Sequence, residues 1–200
     1  MTVLCAIADC PPDAIPAPLR GVGGGAPVAI LGPAQEDVWE HERTVSELMD
    51  LCAILPARFD TQMSEEQAAS FVRCHEDELR AALSRVRGAV EVGVRARLAD
   101  VEGPPADAGP GATYLLGLRD RARAAQRIEG WLEPLSALSR AHVPTPGSRT
   151  DAAVRHSYLV DRDTLARFVD RVAALDAEHP ECELVCTGPW PPYSFTEALP

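Results

Sequence analysis

Gly88-Ala89-Val90-Glu91-Val92-Gly93-Val94-Arg95-Ala96-Arg97-Leu98 is the stretch on which the fold turns. Before it, Ala68, Phe71, Val72, His75, Leu79, Ala82, Leu83 and Val86 recur at helical spacing, which predicts one helix over Glu65–Arg87. Gly88 ends that helix. The period then drops to two, with Val90, Val92 and Val94 pointing inward against Glu91, Arg95 and Arg97, as in a half-buried strand. Downstream, Gly103–Gly111 reads as a flexible loop and Tyr114–Ala141 as a long helix that Pro134 bends or restarts. Val143–Arg149 reads as a short edge segment with a turn, and Val154–Val160 as a strand. Asp161 is then expected to cap a helix bearing Leu165, Phe168, Val169, Val172 and Leu175. Cys182–Thr187 is the last strand. The order strand, helix, strand, strand, helix, strand is that of a ferredoxin-like fold, βαββαβ.

Working backward, Val3–Ala8 is a first strand, closed by Asp9-Cys10-Pro11-Pro12. A phosphate-binding glycine loop must open a helix, because the anion sits on free N–H groups at the helix start. Gly21-Val22-Gly23-Gly24-Gly25 leads instead into the strand-like Ala26–Leu31, so it is a turn. A helix follows over Glu36–Cys52, with Val38, Val45, Leu48, Met49 and Cys52 on one stripe. Ala53–Phe59 is a strand whose Pro56 demands an edge or bulge position. Ser64 and Gln67 form a capping box for the helix behind them. The expectation is therefore an α+β protein of two small domains, residues 1–87 and residues 88–200, the second ferredoxin-like with an aromatic, proline-rich tail.

The tail concentrates scarce residues. Trp190, Tyr193 and Phe195 are three of only ten aromatics in 200 residues, and Gly188, Pro189, Pro191 and Pro192 stiffen and turn the chain around them. Such a cluster either plugs a gap in the protein's own core or faces a partner. Arg119, Arg123 and Arg127 share one helical face at i, i+4 spacing, either as a solvated face or as a docking stripe for an acidic partner. All nineteen basic residues are arginine, and the net charge of −11 argues against nucleic acid or an anionic membrane as main partner. No run is apolar enough for a membrane span, and the N-terminal stretch lacks a basic leader region, which predicts a cytoplasmic protein.

Catalytic and metal chemistry find little purchase. His41-Glu42 lacks the second histidine of HExxH. Cys182 and Cys186 on one strand would stand roughly 13 Å apart, too far to share a zinc ion. Glu91 has no second carboxylate or histidine at a defined spacing, and acid–base work needs tuned pairs. No cofactor, metal or catalytic residue is expected.

Several segments, in order, resemble the gas vesicle protein GvpF/GvpL family. The ending Thr187-Gly188-Pro189-Trp190-Pro191-Pro192-Tyr193-Ser194-Phe195 is similar to the family's terminal signature, and Ile54-Leu55-Pro56-Ala57-Arg58-Phe59 to its ILPxRFGT. His41-Glu42, Glu76-Asp77-Glu78-Leu79, Gly88–Val94 (family G-x-x-E-x-G-V-K) and Tyr158-Leu159-Val160-Asp161 (family FLVD) agree as well. Asp60 departs from the family's glycine but tolerates the left-handed backbone, Arg95 stands where lysine is common, and the stretch between Ile30 and Glu36 is shortened.

The resemblance implies an accessory or minor gas vesicle protein in the cytoplasm and at the gas vesicle. Such a protein would bind the hydrophobic shell protein GvpA and other Gvp proteins during assembly without catalysis. Strand edges and the tail-proximal surface, with Trp190, Tyr193 and Phe195, are the expected contacts, and Arg119, Arg123 and Arg127 a further one. The competing readings are a ferredoxin-like small-ligand sensor or enzyme, which would need a pocket joining His156, Glu91 and a cysteine, and a generic protein-interaction module.

Overall fold

A computed structural model describes residues 2–98, 109–145 and 153–196. The chain divides into two compact units, Met1–Glu91 with Pro189–Pro200, and Val92–Gly188. The second unit thus opens at Val92, four residues after the expected start at Gly88, and the tail counts with the first unit.

The first unit is built on β1 (Thr2–Ala8), whose apolar run Val3-Leu4-Cys5-Ala6-Ile7-Ala8 is buried throughout. β3 (Val28–Pro33) pairs with it antiparallel from Ala8↔Val28 to Thr2↔Pro33, with a bulge between Leu4 and Ala6. On the other side lies β4 (Ile54–Pro56), so Pro56 does occupy an edge strand, where its missing donor costs least. β2 (Arg20–Val22) completes the order β2-β3-β1-β4. The sequence reading missed β2 inside the glycine turn. Gly21 belongs there because a Cβ would lie 2.7 Å from Pro12 Cα.

α1 (Val38–Leu51) begins on Asp37, whose carboxylate accepts from Trp39 N at 2.9 Å and Glu40 N at 2.8 Å. The Ser64–Gln67 capping box forms as expected. The single helix expected over Glu65–Arg87 is instead α2 (Glu65–Cys74) and α3 (Glu76–Val86), separated at His75 with φ −118° and ψ 22°. The His75 ring Nδ1 bonds to the Phe71 carbonyl at 3.0 Å. Glu76, Asp77 and Glu78 then give the new helix an acidic first turn. Asp60, after the Ile54–Phe59 segment, adopts φ 59°, in the left-handed region that aspartate tolerates.

The second unit contains most of β5 (Ala89–Leu98), then α4 (Pro110–Ser136), β6 (Ala141–Pro144), β7 (Val154–Asp161), α5 (Leu165–Glu178) and β8 (Cys182–Trp190). Gly88, at φ 70°, turns the chain from α3 into β5. Its sheet runs β6-β7-β5-β8, compatible with the ferredoxin-like pattern, and both four-stranded sheets are antiparallel. Val92, Val94, Ile128, Leu132, Leu135, Tyr158, Phe168, Val172 and Leu175 form its buried apolar interior.

Among the boundaries that differ from expectation, three have a plain physical reason. α4 ends at Ser136 rather than Ala141, because the Arg140 N–H already bonds to Leu159 O and Ala141 opens β6. Asp161 does not cap α5 with its side chain. Thr164 is the cap residue, and the Asp161 carboxylate pairs with Arg140. β8 continues past Thr187 through Pro189, which an edge strand tolerates. The loop expected at Gly103–Gly111 and the turn at Val143–Arg149 fall largely outside the described residues.

Candidate protein-binding surface

The aromatic tail is held by named bonds within the first unit. After Gly188, at φ 114°, Pro191 and Pro192 are buried and Tyr193–Phe195 forms a single 3-10 turn. Glu91, only 8% exposed, accepts from Ser194 N at 2.8 Å and Ser194 Oγ at 2.6 Å. Arg85 donates to the Phe195 carbonyl at 3.0 Å. Tyr193 packs on the core cluster of Val45, Leu48 and Ile54, and its hydroxyl bonds with Glu42. Burial, with the Glu42 and Glu91 carboxylates beside it, pushes the Tyr193 phenol far above its ordinary range.

Of the three tail aromatics, Phe195 is 3% exposed and serves as an anchor, and Tyr193 is half-buried, whereas Trp190 is 42% exposed. His41 is another internal fastening. Buried on α1, it bonds through Nε2 to the Ala57 carbonyl at 2.9 Å and through Nδ1 to Gln35 Oε1 at 2.7 Å. It thereby ties the approach to α1 to the segment after β4.

Two surfaces are exposed among the described residues, largely in the second unit. β8 is an end strand with β5 as its neighbour, and every residue from Val185 to Trp190 is exposed. Thr187 Oγ1 stands over Gly93, where a Cβ would come within 2.7 Å, and donates to the Gly93 carbonyl at 3.4 Å. Among the described residues no further strand pairs beyond β8, and an edge strand of this length presents backbone donors and acceptors for pairing. On α4, Arg119, Arg123 and Arg127 are all exposed, beside exposed Tyr114, Leu115 and Leu118. Arg119 pairs with Asp120 at 3.0 Å. Arg127 lies 5.2 Å over the Trp131 ring, which itself stacks on His179 at 4.0 Å.

Several titratable groups are engaged structurally, though buried His156 Nδ1 has no hydrogen-bond partner among the described residues. Glu91 is satisfied by Ser194, and buried His156 pairs through Nε2 with Glu129 at 2.9 Å. His75 packs against the Phe71 ring in a tilted arrangement at the α2–α3 break. A cavity of about 490 Å³ lies between Gly23–Pro27 and Ala69, Val72, Arg73, Glu76 and Arg80, and Arg80 is already paired with Glu76 at 2.6 Å. Among the described residues no group of three or more His, Cys, Asp or Glu side chains is placed to hold a metal ion. Nor is any described helix long and apolar enough to cross a membrane. Sequence reasoning missed the donors to Glu91 and the openness of β8. The first needed a pairing across 103 positions, and the second followed only from the strand order.

These features define a two-unit α+β protein of antiparallel sheets, with its C-terminal tail docked as structure and a strand edge left open. Residues 7–197 match the family model described as gas vesicle synthesis protein GvpL/GvpF. The chain belongs to that family. It is 29% identical over 161 residues to gas vesicle protein F2 of Halobacterium salinarum, spanning 80% of this chain and 63% of that protein. Gas vesicle protein F1 of the same organism is 26% identical over 166 residues, 81% of this chain and 70% of F1. The chain thus matches less than two thirds of the length of F2. The crystal structure of GvpF from Anabaena sp. PCC7120 superposes with TM-score 0.73 at 16% identity, covering 98% of this chain and 95% of that one. GvpF from Microcystis aeruginosa gives TM-score 0.74 at 16% identity, with 98% of each chain covered. At that identity the two structures speak for the fold.

Proposed function

We propose that this protein is a non-catalytic assembly factor that acts in the cytoplasm and at the gas vesicle, binding the hydrophobic shell protein GvpA and other Gvp proteins. Family membership supports the gas vesicle role, and the observation that carries the binding mode is the open edge of β8. An extended segment of the shell subunit adds to that edge, with main-chain bonds supplying affinity and exposed Val185 an apolar contact. The strongly acidic body keeps the complex in solution. Trp190 offers a second apolar contact, and Tyr193 and Phe195 act indirectly by holding the tail.

Pull-down of GvpA with wild type, Val185→Lys and Trp190→Ala tests this. A lysine on the edge disfavours strand addition, so Val185→Lys is expected to weaken capture at least about 10-fold, a loss of roughly 1.4 kcal/mol. Full retention by Val185→Lys removes the edge from the interface. Arg119→Ala/Arg123→Ala/Arg127→Ala in the same assay tests the α4 stripe as a contact with an acidic Gvp partner.

A further inference from the structure

Cys10 lies just past the end of β1, and Cys52 is the C-terminal cap of α1. The Asp9 N–H donates to the Ala53 carbonyl at 2.9 Å, clamping the two segments one residue from each sulfur. The Cys52 thiol donates to Cys10 Sγ at 3.1 Å. Both cysteines are half-buried and pack on the core cluster that includes Val45, Leu48 and Ile54. A disulfide needs about 2.05 Å between sulfurs, so this pair must close by only about 1 Å. Of the other four cysteines, Cys5 and Cys182 are buried and Cys74 and Cys186 exposed.

We propose that Cys10 and Cys52 form an oxidative modification site, at which a hydroperoxide such as hydrogen peroxide converts the two thiols into an intramolecular disulfide. Cys10, as thiolate, attacks one peroxide oxygen. The S–O bond forms, the O–O bond breaks, and the departing hydroxide takes up a proton to leave as water. Cys52 sulfur then displaces the hydroxyl of the sulfenic acid, and its own thiol proton leaves with that hydroxyl as a second water. Two thiols have lost two electrons and the peroxide has gained them. Burial first, and the neighbouring Cys10 second, push the Cys52 thiol up to about 12, which suits it to the resolving role rather than the attacking one. Burial likewise holds Cys5 at about 11, which makes it an internal reference thiol. A small-molecule thiol reverses the bond by exchange. The consequence is local to the first unit: the end of β1 becomes covalently fixed to the end of α1, against the cluster on which Tyr193 rests.

Peptide mapping of the full wild-type chain under non-reducing conditions, across a peroxide titration, tests the site. Cleavage before Asp9 separates Cys5 from Cys10, so the linkage is unambiguous. The expected product is a peptide carrying Cys10 linked to Cys52, an intact mass lower by about 2 Da, and reversal by dithiothreitol. Closing so long a loop raises Tm by roughly 5–10 °C. Cys10→Ser and Cys52→Ser each abolish the mass change and the Tm rise. Cys10 and Cys52 still alkylated as free thiols when exposed Cys74 and Cys186 are already oxidised would overturn the proposal. So would linkage of either to another cysteine, or a linked protein with lower Tm, since the bond would then fit only an unfolded arrangement.

Discussion

Ser194→Ala should loosen the tail by an amount the geometry sets. Glu91 is almost fully buried and accepts from Ser194 N at 2.8 Å and Ser194 Oγ at 2.6 Å. The hydroxyl bond is short and charge-assisted, and such bonds contribute about 1.5–3 kcal/mol. The alanine leaves the carboxylate half-satisfied in a site with little access to water, so a loss of about 2 kcal/mol is expected. For a protein of this size that lowers Tm by roughly 4–8 °C. Urea unfolding of Ser194→Ala, Glu91→Gln and the double variant separates the contact from general damage. Because the two side chains touch, the cycle should return a coupling of at least ~1 kcal/mol. Limited proteolysis should cut the Ser194→Ala tail earlier than the wild-type tail. A single-variant effect below ~0.5 kcal/mol with no coupling would refute the reasoning, because the buried carboxylate would then be held by other means.

Two further outcomes follow from packing and titration. Gly93→Ala places a Cβ 2.7 Å from Thr187 Oγ1 and should cost about 1–3 kcal/mol in urea unfolding. Thr187→Ala in the same chain should recover most of that loss, and no recovery would show that Gly93 is needed for another reason. At alkaline pH, burial, with Glu129 and Glu133 nearby, raises the Tyr158 phenol well above its ordinary value, and burial raises Cys5 to about 11. The unfolded chain releases these protons first, so it binds fewer protons than the folded one and stability falls as pH rises. The thiol's share begins to go above about pH 9 and the phenol's above about pH 10. Urea midpoints from pH 8 to 11 should fall less steeply for Tyr158→Phe than for wild type, and parallel curves would contradict the assignment.

What was legible in the sequence was local chemistry. The alternation of Ala89–Leu98, the Ser64–Gln67 box, the edge placement of Pro56 and the left-handed turn at Asp60 each depend on a few adjacent residues. The order of elements from Gly88 onward was readable for the same reason. β2 was not, because three residues with a glycine among them carry no period. The break at His75 was not, because the apolar face of Glu65–Val86 continues across it and only backbone geometry reveals the interruption. Asp161 looked like a cap by position, yet Arg140, brought close by the β6–β7 pairing, claims its carboxylate. Of the site residues, Arg119, Arg123 and Arg127 were readable as an exposed face by spacing alone. Which tail aromatic faces out depended on where Glu91, Arg85 and Glu42 stand.

The segments that carry the family resemblance do related mechanical work. His41 secures the Ile54–Phe59 segment through the Ala57 carbonyl, and its neighbour Glu42 receives the Tyr193 hydroxyl. Glu91 takes Ser194, and Gly93, two residues along the same strand, leaves room for Thr187. The Thr187–Gly93 contact joins β8 to β5, and the Ser194–Glu91 bonds hold the tail. A one-residue slip of β8 would exchange the two faces of the strand, since strand side chains alternate. On the proposed function, an edge that received another chain's strand would need a single register, because the partner's side chains would read one face and not the other. The aromatics that first suggest a contact surface are therefore spent unequally: Tyr193 and Phe195 serve as internal anchors of the first unit, and Trp190 is left exposed.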